Sequence, residues 1–458
     1  MLTVFRSSAK SAVGILRTNF SFVQIANLMG RRTRGEPLQL KPGFPYQTRR
    51  LTELEALMDI TVNRLKEENA KLIVIEGPIA SGKSAIMKIL AEEFDMHYME
   101  QPTLDELYIT RSGFDLRTFD DQLPESVRTY DHKNFLSSPR DRKAGDFQLT
   151  MLQLRMAQYI DALAHIMNTG QGVILERSAY SDFAFAEAMF SEGHISKPVR
   201  DVYILMREHV TPLLLRPHVI IYLDVPVDIV QQRIKQRNLS YEVNSPALTA
   251  SYLQKLEDVW KNNYLKKAVE SSEVLVYDWS DGGDTELIIE DLEKLDLNPL
   301  NKPPHGKLFD WKIWRRELRH KRLSYTNDKF KLINYTKLPP VDVDEFKLPV
   351  DDMKLRDKLY NSAPGYEYLY GSHPKYDSIW KILLGVNPYS RRNISAEIHI
   401  SHLEEEGILQ WNETKNIKYL FSLLSCFQMK CAYSHVNTCY FMNMSYYSLI
   451  LSIYSILK

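Results

Sequence analysis

Cysteine is almost absent from this chain. None occurs in residues 1–425, and the three present, Cys426, Cys431 and Cys439, lie near the C-terminus. A disulfide framework is therefore excluded for the main body of the protein. The three thiols and His435 could be drawn as a zinc site, but the short CxxC pairs that usually hold zinc are missing. Unrelated thiols in the C-terminal tail are the preferred interpretation.

The chain also lacks an excess of charge of either sign. Lysine plus arginine number 58, as do aspartate plus glutamate, so the formal net charge is zero. General nucleic-acid binders normally carry a basic excess, so nucleic acid is not an expected partner. A long hydrophobic run is missing too, because residues 446–457 fall short of the ~20 apolar residues that cross a bilayer. We therefore expect no transmembrane span and, at most, a peripheral membrane protein.

Acidic residues are absent from the first 35 positions. Residues 1–35 contain no aspartate or glutamate, whereas arginine, lysine and serine recur there. Such a leader is typical of a mitochondrial transit peptide. We therefore predict a transit peptide over residues 1–35 and a protein of the mitochondrial matrix, on the matrix side of the inner membrane. A disordered basic tail is the alternative.

Short apolar runs alternate with helical patterns through the middle of the chain. The runs lie at residues 71–76, 97–100, 172–176, 218–224 and 273–277. This alternation predicts an α/β fold with a doubly wound parallel sheet of about five strands over residues 71–298. A linker and an N-terminal helix precede it over residues 36–70, where Thr52 and Glu55 form a capping box.

The pattern changes after the last predicted strand. Prolines, Trp311 and a basic cluster that ends at Arg322 replace the strand–helix alternation. We interpret residues 299–390 as an irregular, extended docking arm, and an exposed basic helix is the alternative. Residues 391–458 form a tail of unknown role.

A phosphate-binding motif follows the first predicted strand. Residues 77–84, Gly-Pro-Ile-Ala-Ser-Gly-Lys-Ser, match GxxxxGK[ST] in full. The glycines Gly77 and Gly82 let backbone N–H groups turn toward phosphate oxygens, and the next helix presents its positive end. Lys83 is expected to neutralise the β- and γ-phosphates, and Ser84 to ligate Mg²⁺. The motif predicts a P-loop that binds ATP or another nucleotide with magnesium.

Other strand ends carry the remaining groups that phosphoryl transfer needs. Glu100 ends the second predicted strand, and Glu176 and Arg177 end the third. Ligands of doubly wound sheets bind at this edge. Arg233 and Arg237 lie four residues apart on the helix after the fourth strand, and so on one face. The alternatives are a structural ion pair for Glu176 with Arg177 and a solvated face for the two later arginines.

Together these motifs resemble the mitochondrial deoxynucleoside kinases. The resemblance is carried by the P-loop, by Glu-Arg-Ser at 176–178 continuing to Asp182, and by Gln148 with Arg155 seven residues on. It implies that Gln148, Arg155 and Asp182 bind the nucleoside. A polar seam for Gln148 with Arg155, and a helix cap for Asp182, are the alternatives.

The same resemblance implies the catalytic roles. Glu100 would be the general base and Arg177 would act at the 5′ end of the nucleoside. Glu176 would join Ser84 at magnesium. Arg233 and Arg237 would be the arginines of the lid.

One branch of this family resembles the chain more closely. Residues 169–178, 182–190, 218–226 and 277–283 are similar to an accessory subunit of respiratory complex I, and the resemblance spans roughly residues 50–380. It implies a non-catalytic subunit whose partners are other complex I subunits and whose fold leaves nucleotide binding open. FAD has been attributed to this branch, but no flavin motif occurs in the chain. An active mitochondrial kinase that transfers the ATP γ-phosphate to a nucleoside 5′-hydroxyl is the alternative.

Departures from the kinase pattern favour the subunit interpretation. Leu136 and Ser251 stand where active kinases carry a tyrosine and a glutamate for the sugar 3′-hydroxyl, and Gln101 separates Glu100 from Pro102. A lost charge-assisted hydrogen bond costs about 1.5–3 kcal/mol. We therefore expect an intact donor side and a damaged acceptor side.

Overall fold

The computed structural model describes residues 28–40, 42–58, 64–66, 69–110, 112–303, 305–313, 315–334 and 342–366. The predicted tail at 391–458, with its cysteines and His435, lies outside the described residues. So do residues 1–27 of the predicted transit peptide and the arm beyond residue 366.

The five apolar runs form one parallel sheet. The strands are β1 (Leu72–Glu76), β2 (His97–Met99), β3 (Val173–Glu176), β4 (Val219–Asp224) and β5 (Glu273–Asp278). Their order is β2-β3-β1-β4-β5, with every pairing parallel. All residues of β1 are buried, because helices cover both faces of such a sheet. The predicted doubly wound α/β fold is confirmed.

Helices connect the strands and extend the domain at both ends. The α-helices, in chain order, are α1 (Arg31–Arg34), α2 (Glu53–Met58), α3 (Lys83–Phe94), α4 (Asp105–Tyr108), α5 (His132–Ser137), α6 (Ala144–Thr169), α7 (Phe183–Ser191), α8 (Lys197–Val210), α9 (Val227–Arg237), α10 (Ser240–Val243), α11 (Ala250–Val259), α12 (Lys266–Ala268), α13 (Thr285–Lys294), α14 (Arg315–Asn327), α15 (Lys329–Asn334) and α16 (Val350–Ser362). A π-helical stretch, Trp260–Leu265, joins α11 to α12.

The middle strand fixes where the site lies. β1 is flanked by β3 and β4, so that Val74 lies opposite Leu175 on one side and Ile220 on the other. The chain connections lead to β3 on one side of β1 and to β4 on the other, and this leaves a crevice at the carboxyl ends of the three strands. The phosphate motif begins at the residue after β1.

The predicted capping box begins the N-terminal helix. The Thr52 backbone N–H donates to the Glu55 carboxylate at 3.0 Å, and the Glu55 N–H donates to Thr52 Oγ1 at 3.2 Å. These reciprocal bonds satisfy N–H groups that the first helical turn leaves unpaired. Helix α2 accordingly begins at Glu53.

The first part of the predicted docking arm folds against its own domain. Trp311 is 7% exposed, its indole N–H donates to the Arg216 carbonyl at 2.8 Å, and its ring lies 3.9 Å from the His218 ring. Arg322, 6% exposed, donates to the Asn168 side chain at 2.9 Å. These two members of the basic, tryptophan-containing cluster are therefore used within the chain: burial of the Trp311 ring stabilises the fold, and the hydrogen bond to Asn168 offsets part of the cost of burying the Arg322 guanidinium.

The second part of the arm covers the long excursion between β2 and α6. Side chains from both segments form a separate apolar cluster, made of Leu116, Leu123, Val127, Tyr360, Ala363 and Tyr366. Arg142, just before α6, donates to the carbonyl oxygens of Asp344, Glu345 and Lys347. The arm thus holds the excursion against the domain.

No helix among the described residues is both long enough and apolar enough to span a membrane.

Replacement of Trp311 tests whether the arm stabilises the domain. Trp311→Ala should lower the free energy of unfolding by about 3–5 kcal/mol, because it empties a buried ring site and leaves the Arg216 carbonyl without its donor. Phe309→Ala is the matched control, since Phe309 is 46% exposed and its ring centroid lies 5.0 Å from that of His305; its cost should stay below about 1 kcal/mol. Urea unfolding followed by circular dichroism measures both. A cost for Trp311→Ala as small as that for Phe309→Ala would contradict the prediction that the arm stabilises the domain.

Candidate functional site

The phosphate loop has the backbone conformation that its glycines predict. Gly77 and Gly82 have φ values of 148° and 88°, in the region that favours glycine. A Cβ on Gly77 would lie 2.9 Å from the Leu223 carbonyl oxygen of β4, so a side chain there would collide with backbone. Ala80 also has a positive φ, 56°. The loop therefore lies close against β4, and α3 begins at Lys83.

Lys83 is buried inside the loop. Its side chain is 5% exposed, and Nζ donates to the Pro78 carbonyl at 2.7 Å and to Ser81 Oγ at 3.3 Å. The Glu176 carboxylate lies 3.7 Å away. Burial, with the nearby charge of Arg177, lowers the pKa of Lys83 to about 7, against the opposing effect of Glu176. About half of the Lys83 side chains are thus protonated at neutral pH in the free protein.

Ser84 and Glu176 meet at the mouth of the loop. The Ser84 hydroxyl donates to Glu176 Oε2 at 3.2 Å, and Glu176 is the last residue of β3. Within the described residues no group of three or more His, Cys, Asp or Glu side chains is arranged for a metal. Magnesium at a nucleotide takes one or two carboxylates and completes its shell with phosphate oxygens and water. A hydroxyl and a carboxylate in contact fit that donor set.

Arg177 turns away from its neighbour Glu176. Its backbone is left-handed, with φ 65°, and its guanidinium lies over the rings of Phe185 and Trp260, 4.9 and 5.0 Å from their centroids. Burial lowers the pKa of Arg177, and the carboxylate that opposes this most is Glu76. The Glu176 carboxylate contacts Lys83 and Ser84, so the structure does not favour the alternative of a structural Glu176–Arg177 ion pair.

Two carboxylates at strand ends escaped the sequence analysis. Glu76, directly before Gly77, is 0% exposed, and the Ser178 hydroxyl donates to it at 3.3 Å. Burial raises its pKa. Asp224, at the end of β4, lies 2.8 Å from the ammonium group of Lys261. The available signal was an acidic residue that ends an apolar strand.

Two of the predicted nucleoside-binding residues, Gln148 and Arg155, contact the carboxylate of the third, Asp182. Asp182 is fully buried; Gln148 Nε2 donates to its Oδ2 at 2.9 Å, and the Arg155 guanidinium contacts its Oδ1. Tyr203, which no sequence signal indicated, donates its hydroxyl to Oδ2 at 2.5 Å. Asp182 precedes α7 but makes no side-chain capping bond. The helix-cap alternative is therefore wrong.

The two predicted lid arginines have partners within the chain. Arg233 donates to the carbonyl oxygens of Trp279 and Ser280, at 2.7 and 2.8 Å. Arg237 forms an ion pair with Glu242, whose Oε2 is 3.0 Å from the arginine Nε. The charge of Arg237 is among those that lower the pKa of Lys83, so it lies within electrostatic reach of the loop. Their role at a nucleotide stays a prediction.

Glu100 is not brought to the phosphate loop. Its side chain is 55% exposed, and Oε1 lies 3.4 Å from the ammonium group of Lys88, which is itself 56% exposed. Strand β2 ends one residue earlier, at Met99. Of the two strand-end glutamates expected beside Lys83, the structure places Glu176 there and turns Glu100 toward the surface.

The two positions at which a sugar-binding tyrosine and glutamate are missing, Leu136 and Ser251, are used elsewhere in the fold. Leu136 is 7% exposed and belongs to the main hydrophobic core. Ser251 is exposed, and its hydroxyl donates to Glu192 Oε1 at 2.6 Å. The structure thus brings together three residues of the predicted donor side, Lys83, Ser84 and Glu176, and leaves Glu100 of the predicted acceptor side at the surface.

Comparison with known proteins shows the family to which the chain is similar. The model of the deoxynucleoside kinase family matches residues 73–297. The mitochondrial NADH dehydrogenase (ubiquinone) 1 alpha subcomplex subunit 10 of Mus musculus is 33% identical over 333 residues, which cover 71% of this chain and 88% of that protein. The Bos taurus protein of the same name is 31% identical over 315 residues, 68% of this chain and 87% of that one. A deoxyguanosine kinase of Dictyostelium discoideum is 27% identical over 249 residues, 54% and 78% of the two chains.

The buried lysine predicts that phosphate binding takes up a proton. A bound phosphate should raise the Lys83 pKa above its value of about 7 in the free protein. The affinity for ATP with magnesium should therefore be greatest below pH 7 and fall by up to about tenfold per pH unit above it. Calorimetry at pH 8 in two buffers of different ionisation enthalpy measures the uptake.

Lys83→Arg is the matched control for this experiment. Its guanidinium stays charged, so any binding that remains should show neither proton uptake nor the pH dependence. Identical heats for the native protein in both buffers would contradict the prediction, since Lys83 would then be charged before the ligand arrives.

Proposed function

This chain, of which residues 73–297 match the model of the deoxynucleoside kinase family, belongs to the family of the mitochondrial NADH dehydrogenase (ubiquinone) 1 alpha subcomplex subunit 10 proteins. We propose that it serves as an accessory, non-catalytic subunit of respiratory complex I. The observation that carries this proposal is the 33% identity that spans 88% of the mouse subunit. Its partners would be other subunits of the complex, and its location the matrix side of the inner membrane.

The length of the similarity supports a subunit over a free kinase. The kinase family model ends at residue 297, whereas 333 residues align with the mouse subunit. The similarity to that subunit therefore includes sequence outside the kinase domain. In this chain such sequence includes the segment around Trp311, which packs on the sheet through His218.

The acceptor side argues against efficient phosphoryl transfer. A buried leucine at 136 and a surface serine at 251 replace two groups that would hold the sugar, and Glu100 pairs with Lys88. Two missing charge-assisted hydrogen bonds, at about 1.5–3 kcal/mol each, would weaken nucleoside binding by roughly 10²–10⁴-fold. A general base that faces solvent would add a further loss, because it must lie within hydrogen-bond reach of the acceptor hydroxyl.

The donor side supports retained nucleotide binding. In this proposal the ammonium group of Lys83 leaves the Pro78 carbonyl for the β- and γ-phosphates of ATP or another nucleotide. Ser84 and Glu176, already in contact, would hold the magnesium ion that accompanies it. The nucleotide would then stabilise the fold by binding the native state alone.

An active mitochondrial deoxynucleoside kinase is the second candidate. The observation that favours it is the complete phosphate loop, with Lys83 3.7 Å from Glu176 and the predicted nucleoside-binding residues in contact with one another at Asp182. The two functions predict different results for two measurements: whether the chain is bound to the respiratory complex, and whether it transfers a phosphoryl group.

Association with complex I is the first test. In native gels of mitochondrial membranes, the chain should migrate with the complex that oxidises NADH, and Lys83→Met should migrate there equally. The proposed role requires the fold and its surfaces, and phosphoryl transfer is dispensable for it. Tagged chains detected by antibody beside an in-gel NADH oxidation stain provide the measurement. Migration solely at the mass of a free chain would refute the subunit proposal.

Kinase activity is the second test. The purified protein, given labelled ATP, magnesium and each of the four deoxynucleosides, should show no more transfer than its Lys83→Met variant. Chromatography of the labelled products measures this. Transfer that disappears in the Lys83→Met variant would instead support the kinase alternative, since only loop-dependent chemistry is sensitive to that side chain.

A further inference from the structure

The end of the predicted transit peptide is built into the folded domain. Leu28 is 2% exposed. The Met29 backbone exchanges two hydrogen bonds with the fully buried side chain of Asn69: its N–H donates to Oδ1 and its carbonyl accepts from Nδ2, both at 3.0 Å. Asn69 also donates to the Phe94 carbonyl at 2.7 Å, so the same amide joins this segment to the end of α3.

Two arginines of the segment hold one carboxylate at the end of the phosphate-loop helix. Asp95 accepts from Arg31 Nε at 2.6 Å, from Arg34 Nη1 at 2.7 Å and from the Leu38 backbone N–H at 2.8 Å. The Asp95 side chain is 10% exposed. The arginines also lie at the C-terminus of α3, where cations interact favourably with the helix dipole.

Carboxylates of both α3 and α13 bind further donors of the segment. The N–H of Gly30 donates to Glu293 Oε1 at 2.8 Å, and the Thr33 hydroxyl donates to Oε2 of the same residue at 3.0 Å. The Arg32 N–H donates to Glu93 at 2.9 Å, and its guanidinium pairs with Glu286. Segment 28–38 is thus bound to α3 on one side and to α13 on the other.

The fit of the backbone is close at Gly30. A Cβ there would lie 2.5 Å from a Glu93 carboxylate oxygen and 2.9 Å from one of Glu293. The carboxylates can approach the backbone this closely because the residue is glycine. A removable leader has no need of such a site, since it is unfolded during import and then discarded.

We propose that proteolytic processing ends before Leu28, so that it removes no more than residues 1–27 and leaves residues 28–40 as a permanent part of the domain. The step is hydrolysis of one peptide bond by a matrix endopeptidase, in which water supplies the new carboxylate and α-amino group. The inference depends on the proposed mitochondrial function, and it shortens the transit peptide predicted over residues 1–35.

The shorter leader keeps the features that import requires. Residues 1–27 contain Arg6, Lys10 and Arg17 among serines and no acidic residue. Cleavage after Gly35 would instead remove all three arginines of α1. Asp95, Glu93, Glu286 and Glu293 would then lose cations and N–H donors that now satisfy them, which costs free energy because exposed like charges repel one another.

The N-terminus of the mature chain is the direct test. Full-length protein is imported into mitochondria, isolated, and its first residue determined by intact mass and by sequencing of its N-terminal peptide. A first residue between 2 and 28 supports the proposal, and a first residue at 29 or beyond overturns it. An imported but uncut chain would overturn the processing step while leaving the proposed function standing. A chain that never enters mitochondria would refute both.

A second measurement tests whether the segment is held as the structure describes. In the native protein, trypsin should cut slowly after Arg31, Arg32 and Arg34, and Asp95→Asn should accelerate those cuts at least tenfold. Glu290→Gln is the matched control: Glu290 lies on α13 but pairs only with Lys294 among the described residues, so the cutting rates should not change. Equal rates in the native protein, Asp95→Asn and Glu290→Gln would overturn the docking on which the inference depends.

Discussion

Opposite charges buried together at the carboxyl ends of the strands are the constraint on which this structure depends. Lys83 lies against Glu176, the charge of Arg177 acts on Glu76, and Arg155 contacts Asp182. Removing one partner of a buried pair typically costs about 3–5 kcal/mol, because an uncompensated charge is left without water. Two of these cations therefore lie in contact with a carboxylate, the third acts on one through its charge, and the sheet brings the pairs together.

This balance also explains how a ligand could change the site. The Lys83 ammonium now binds the carbonyl of Pro78, a contact that a phosphate could replace at little cost. An anion beside Lys83 and Arg177 would have to be compensated, and magnesium at Ser84 and Glu176 would supply the missing positive charge. The residues around Asp182 have no such freedom, because Gln148, Arg155 and Tyr203 already occupy that carboxylate.

Segments outside the kinase domain are bound to it by hydrogen bonds, ion pairs and apolar contacts. The N-terminal segment joins α3 to α13, α14 binds α6 through Arg322 and Asn168, and α16 covers the excursion. These additions leave the phosphate loop in place and surround the domain with further packed surface. Such a scaffold suits a protein whose role is to be a stable part of an assembly, and a kinase must instead open and close around its substrate.

The sequence by itself determined the five strands and their alternation with helices, which implies a parallel sheet. It also determined the phosphate loop and the capping box at Thr52. These features depend on local periodicity and on residues a few positions apart. It also placed Gln148 and Arg155 on one face of a helix. Only the tertiary structure decided that Glu100 faces Lys88, that Tyr203 serves Asp182, that Trp311 and Arg322 fold inward, and that residues 28–35 dock on Asp95. Each of these contacts joins segments that are distant in the chain, so no local sequence pattern predicts it. The packing of the helices decides which carboxylate lies beside a given arginine.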